Sequence, residues 1–177
     1  RLNDSDFSGN FSIYHSSYEY NDYVTNTDGV SIGTGHRFSR HITGYLGYGY
    51  SNTGYEFGDD FNLSEYGNSY HFEAYDKSSI TVSVAWDNTD DYYLPREGFT
   101  LSQSFEKSGV GGDANFLEAR TRFAKYLGLD SYIGFDAIFR YKARYYNIRD
   151  TGYMPLAEKF YMGGIGTVRG YESYSIS

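Results

Sequence analysis

The chain of 177 residues has no cysteine, 2 proline, 21 glycine, 22 tyrosine and 13 phenylalanine, with 23 acidic against 15 basic side chains and a formal charge of −8. Without cysteine there is no disulfide framework or thiolate metal cluster, and a chain this acidic lacks the basic face that nucleic-acid binding by counterion release requires. One residue in five is aromatic at a mean hydropathy of −0.60, more rings than an ordinary leucine-rich core holds, yet no apolar run nears the roughly 18–20 residues of a membrane helix.

Period-2 alternation, the mark of a strand with one apolar side, predicts seven strands in order along the chain. The first, 8–20, carries Phe11 and Ile13; the second, 29–39, carries Val30, Ile32 and Phe38; the third, 41–51, carries Ile42, Leu46, Tyr48 and Tyr50. Residues 52–77 follow as a long acidic segment with Glu56, Asp59, Asp60, Glu65, Glu73 and Asp76 against Lys77, which reads as a solvated surface loop. In 78–87 the row Ile80, Val82, Val84 and Trp86 opposes Ser79, Thr81, Ser83 and Asp87. In 97–107 Phe99, Leu101 and Phe105 oppose Thr100, Ser102, Ser104 and Glu106, and in 114–126 Leu117, Ala119, Thr121 and Phe123 oppose Glu118, Arg120 and Arg122. The longest alternation, 131–146, sets Ile133, Phe135, Ala137, Phe139, Tyr141, Ala143 and Tyr145 against Gly134, Asp136, Arg140, Lys142 and Arg144.

These strands match the roughly 9–11 tilted residues that cross a bilayer better than the roughly 5–6 of soluble sheets. Alternation alone fits a soluble sandwich equally well. Tyrosines gathered at strand ends, such as Tyr18 and Tyr20, Tyr48 and Tyr50, and Tyr145 and Tyr146, favour the interfacial girdles of an outer-membrane barrel. Short connections at 39–41 and 127–130 and a medium turn at 88–97 then belong to the periplasmic rim, and 21–28, 52–77, 108–113 and 147 onward to the outer one.

Catalytic and metal signatures are weak. His15, His36, His41 and His71 are scattered without a zinc spacing. The acidic turn from Asp87 to Asp91 lacks the sixth-position glycine and distal glutamate of a calcium loop. No Gly-x-Ser-x-Gly elbow occurs, and Arg169 stands where a dinucleotide fingerprint counted from Gly164 needs its third glycine. No cofactor is expected, and no enzymatic activity.

The segment 147–177 shows no alternation and is too long for an idle connection. Within it, Phe160-Tyr161-Met162-Gly163-Gly164-Ile165-Gly166-Thr167 leads into Val168-Arg169-Gly170-Tyr171. Glycines allow the chain to fold back into a confined space, and an arginine there can present its fork to a carboxylate.

Val168-Arg169-Gly170-Tyr171 resembles the Val-Arg-Gly-Phe/Tyr signature of the BamA, TamA and two-partner-secretion superfamily of outer-membrane barrels, whose sixth extracellular loop re-enters the lumen. The run from Trp86 and Asp87 through Pro95 to Gly98 is similar to that family's Asp-rich periplasmic turn ending in Pro-x-x-Gly. Both motifs fall within 78–177; before that the resemblance rests on strand pattern. Tyr171 departs mildly from the commoner phenylalanine.

The resemblance implies an all-β fold: an antiparallel transmembrane β-barrel of sixteen strands, preceded by periplasmic POTRA domains, of which 1–177 is a partial barrel domain of about seven strands with 147–177 as the re-entrant loop. It implies that Arg169 anchors that loop to lumenal carboxylates, without assigning Glu106, Glu118 or Asp136 as partners. The implied function is assembly of nascent outer-membrane β-barrel proteins in the Gram-negative outer membrane. Its partners would be the lipid bilayer, the nascent barrels and accessory lipoproteins reached through the periplasmic domains; nucleic acid is not among them. A TamA-like or two-partner-secretion translocation barrel, and a porin lined by Arg120, Arg122, Arg140, Lys142 and Arg144, are the alternatives.

Overall fold

The structure, a computed structural model, describes residues 6–19, 23–58, 73–159 and Gly170. Seven strands, β1 (Phe7–Glu19), β2 (Tyr23–Arg37), β3 (Ile42–Phe57), β4 (Tyr75–Asp87), β5 (Gly98–Ser108), β6 (Phe116–Gly128) and β7 (Ile138–Asp150), form one sheet. Each pairs antiparallel with the next in chain order, and β1 and β7 are the two edges.

Register places the apolar residues in one continuous band. Phe11 faces Ile32, Ile32 faces Tyr48 and Tyr48 faces Ile80. Further along, Leu46, Val82, Phe105 and Ala119 share a row, as do Trp86, Leu101, Phe123 and Ala143. Nothing among the described residues covers this band: Phe11 is 66% exposed, Val82 48% and Phe139 52%. Polar groups within it answer one another; Thr121 donates to Gln103 across the β5–β6 ladder at 2.6 Å. Toward the ends of the same face the residues turn polar, with Asp28, Asn52 and Asp76 in one row.

The other face carries small and ionised residues with aromatic rings such as Tyr45, Tyr75 and Phe116 among them. Thr25, Thr53, Ser79, Ser108 and Glu118 are all buried there, although they are smaller than the exposed rings behind them. Small side chains buried on one face and large ones exposed on the other mean that the sheet curls toward the polar side. Glycine makes the inner wall thin: a Cβ on Gly33 would sit 2.2 Å from the Tyr45 hydroxyl, and one on Gly29 would sit 2.4 Å from the Tyr14 ring. Both rings lie across a glycine of the adjacent strand.

β4 begins at Tyr75 rather than 78 and β7 ends at Asp150 rather than 146, and three boundaries differ more widely from the sequence expectation. β2 begins at Tyr23 rather than 29, and β3 runs to Phe57 rather than 51, so the expected loop 21–28 is mostly strand. Asn, Asp and Thr in these stretches read as turn formers, but cross-strand partners decide: Thr27 bonds Thr53 at 2.9 Å, and Asn26 donates to Glu56 at 2.7 Å. The third difference is larger. Residues 131–137 are not strand; a helical turn, α1 (Asp130–Ile133), ends on Gly134 at φ 74, and β7 starts only at Ile138. Gly134 in the left-handed region breaks the extended backbone that the alternation implied. The connection expected as 127–130 is therefore 129–137.

The buried cluster lies on the polar face near the outer rim. Tyr75, Ala114 and Phe116 form it, with Tyr55, Ile148, Tyr153, Met154 and Ala157 packed around them. The chain after β7 folds back over the inner wall and ends its described part in a 3-10 turn, Leu156–Glu158.

Candidate functional site

Two regions concentrate polar chemistry. The first is the turn between β4 and β5. The Asp87 carboxylate accepts from the Thr89 amide at 3.0 Å and its hydroxyl at 2.6 Å. Asp90 accepts from the amides of Arg96 at 2.9 Å and Glu97 at 3.0 Å, and Asp91 from those of Tyr93 at 2.7 Å and Leu94 at 2.8 Å. The carboxylates thus serve the turn's own backbone. The Glu97 amide above all, with that of Arg96, holds the Asp90 carboxyl below the usual carboxylate range. Pro95 precedes Arg96 in the loop, and Gly98 closes it at φ 97, where a Cβ would lie 2.1 Å from the Asn88 carbonyl oxygen. Arg96 reaches the neighbouring turn, pairing with Asp136 and lying 3.9 Å from Asp130. Asp136, read from sequence as a lumenal strand residue, is therefore an exposed turn residue; the helical turn before it removes it from the ladder.

The second region is the inner wall beneath the folded-back chain. Alternation extended to Tyr75 puts Tyr75, Lys77, Ser79 and Thr81 on the polar side of β4. Lys77 Nζ lies 2.9 Å from Glu106 of β5 and 2.9 Å from Glu158 of the 3-10 turn. Its ammonium also stands 5.2 Å from the centre of the fully buried Phe116 ring. Tyr75 donates to Glu158 at 3.0 Å, and the Ala157 amide donates to the Tyr55 hydroxyl at 3.3 Å. Asn115 donates its amide to the Tyr153 carbonyl at 2.7 Å. Burial first, then the carboxylates of Glu73 and Asp113, push the Tyr153 phenol up.

On β6, Glu118 is 2% exposed, pairs with Arg120 and accepts from the Tyr146 hydroxyl at 2.5 Å. Glu106 and Glu118 both face the polar side, each already engaged. Arg122 and Arg144 stand directly opposite each other across the β6–β7 ladder. Neither forms an ion pair with another described residue, and Lys142 extends the cationic row. Like charges in direct opposition are unfavourable unless water or an anion answers them.

Of the residues singled out from sequence, Asp87, Pro95 and Gly98 come together in the turn. Gly170 has φ 89. Val168, Arg169 and Tyr171 and the glycines Gly163, Gly164 and Gly166 lie outside the described residues. Lys77 and Glu158 were missed. In the sequence Lys77 falls in the acidic segment 52–77 and Glu158 in a segment without alternation. The available signal was a lone lysine in an acidic run at a position continuing the polar row of β4.

The Omp85 superfamily domain matches residues 1–177. The chain is 30% identical over its whole length to "Outer membrane protein assembly factor BamA" of Nitratidesulfovibrio vulgaris, spanning 22% of that protein. Over 56% of the chain it is 30% identical to "Sorting and assembly machinery component 50 homolog" of Homo sapiens, spanning 21% of that protein. The crystal structure of BamA from Haemophilus ducreyi lacking POTRA domains 1-3 superposes with a TM-score of 0.69 at 21% identity, covering 96% of this chain and 35% of that one.

Proposed function

Because this chain belongs to the Omp85 superfamily, we propose that it forms part of an outer-membrane barrel that helps nascent β-barrel proteins fold and insert into the bacterial outer membrane. The exposed apolar band would face acyl chains and the curled polar face would line the lumen. In hydrocarbon the edges of β1 and β7 must find further strands, because each unpaired amide costs several kcal/mol. Such work makes and breaks no covalent bond and calls for no cofactor; accessory lipoproteins would act through periplasmic domains.

The observation that carries this reading is the chain after β7, which turns inward and docks Glu158 on Lys77 and Tyr75 of the polar face. The proposed role of Val168-Arg169-Gly170-Tyr171, further along the same loop, is to hold it in the lumen through Arg169 and lumenal carboxylates. The test is the intact protein reconstituted in outer-membrane lipid with an unfolded client barrel. Wild type is expected to speed client folding over empty vesicles, and Arg169→Ala to lose most of that gain while remaining inserted. Equal client folding with and without the protein would contradict the reading.

The cationic row of Arg122, Lys142 and Arg144 favours a second reading, a translocation barrel whose water-filled lumen accommodates anionic segments. Anion-selective conductance abolished by Arg122→Gln with Arg144→Gln, in a protein without assembly activity, would select it.

A further inference from the structure

We propose that Lys77 and Glu158 form a reversible latch that docks the root of the loop after β7 onto the inner wall. Lys77 serves two carboxylates of different kinds. Glu106 belongs to β5 and stays with the wall, whereas Glu158 belongs to the chain that folds over it; both stand 2.9 Å from the ammonium. The three side chains are between 15% and 20% exposed, so the contacts form in a partly dried recess over Phe116.

Removing one member of a buried ion pair is normally costly because the other is left uncompensated. Here the wall escapes that penalty. When Glu158 leaves, Lys77 and Glu106 remain as a neutral pair; when it returns, the recess carries one excess negative charge, offset by the Tyr75 hydroxyl donating at 3.0 Å. Two occupancies of one lysine, both satisfied, make a bistable element.

The latch also sets direction. From β7 the chain passes back over β6 and β5 to reach β4, and the Ala157 amide continues to Tyr55 on β3. At roughly 4.8 Å per strand that is a stride of about 14 Å across the inner wall before the glycine-rich segment begins. Glu158 is thus a positioning residue for the loop. How the loop is held does not depend on the cargo; only the effect on client folding rests on the assembly reading.

The test uses the intact protein in outer-membrane lipid, with hydrogen exchange of the 151–158 amides as the docking readout and client folding measured separately. Glu158→Gln and Lys77→Met are each expected to raise exchange about tenfold or more, as loss of a charge-assisted hydrogen bond implies. The double variant should add little to either. Glu106→Gln, which leaves Lys77 to Glu158 alone, is expected to leave exchange unchanged or lower it. Unchanged exchange in Glu158→Gln, full additivity in the double variant, or a Glu106→Gln as loose as Glu158→Gln would each overturn the latch. Loosened exchange with unimpaired client folding would support the latch and contradict the assembly reading's reliance on the loop.

Discussion

At the residue scale, Gly98 and Asp90 carry the turn that joins β4 to β5. Gly98 combines a positive φ of 97 with a Cβ position 2.1 Å from a backbone oxygen, so alanine is excluded both conformationally and by volume. Gly98→Ala is expected to lower stability by about 1–3 kcal/mol, measured as the urea midpoint in lipid vesicles; an unchanged midpoint would mean that the turn has another conformation. Asp90 gives a pH signature. Its folded pKa lies below the unfolded one because backbone amides favour the charged form. Its contribution is therefore present above the ordinary aspartate value of about 3.9 and lost as pH falls through the lower folded value. Asp90→Asn should be less stable than wild type at neutral pH, with the gap closing on acidification; a pH-independent gap would assign the effect to shape rather than charge.

At the scale of the strand, period-2 alternation identifies faces, and it does so wherever an apolar row is uninterrupted. Ile80, Val82, Val84 and Trp86 are legible because four large residues alternate with the small Thr81, Ser83 and Ala85, and their exposed band is what the structure displays. Alternation misleads where backbone conformation changes without a change in pattern. Ile133, Phe135 and Ala137 keep the period while the chain makes a helical turn and passes through Gly134. It is also silent where a strand leaves the apolar band, as in Val24 to Asp28 and Asn52 to Glu56, because pairing partners far along the chain hold these segments extended. The lumenal ion pairs are illegible for the same reason: Lys77 and Glu158 are 81 residues apart, and no local pattern connects them. Face assignment yields a direct comparison between neighbours on β4. Val82→Arg, on the apolar row, is expected to cost roughly 2–4 kcal/mol of folding free energy in lipid, whereas Thr81→Arg, on the polar row, should stay close to wild type. Equal costs, or the reverse order, would place the two faces the other way round.

For the whole molecule, the two faces and the returning chain belong to one design. A sheet that curls toward its polar face encloses water on that side and leaves Ile80, Val82, Phe105 and Phe139 outward, so an apolar band that would be an aggregation hazard on a soluble protein becomes the surface that lipid covers. The returning chain covers the wall's buried cluster, packing Tyr153, Met154 and Ala157 around Tyr75, Ala114 and Phe116. The turn linkage through Arg96 to Asp136 ties adjacent connections at the opposite rim. Which face meets lipid decides between an enclosed polar lumen and an ordinary solvated sheet. Spin labels on Val82→Cys and Phe105→Cys, and separately on Thr81→Cys and Ser104→Cys, in the intact protein in outer-membrane vesicles measure this through their collision rates with oxygen and with a water-soluble nickel chelate. The first pair should be relaxed chiefly by oxygen and the second by the chelate; chelate-dominated relaxation at Val82 and Phe105 would contradict the account.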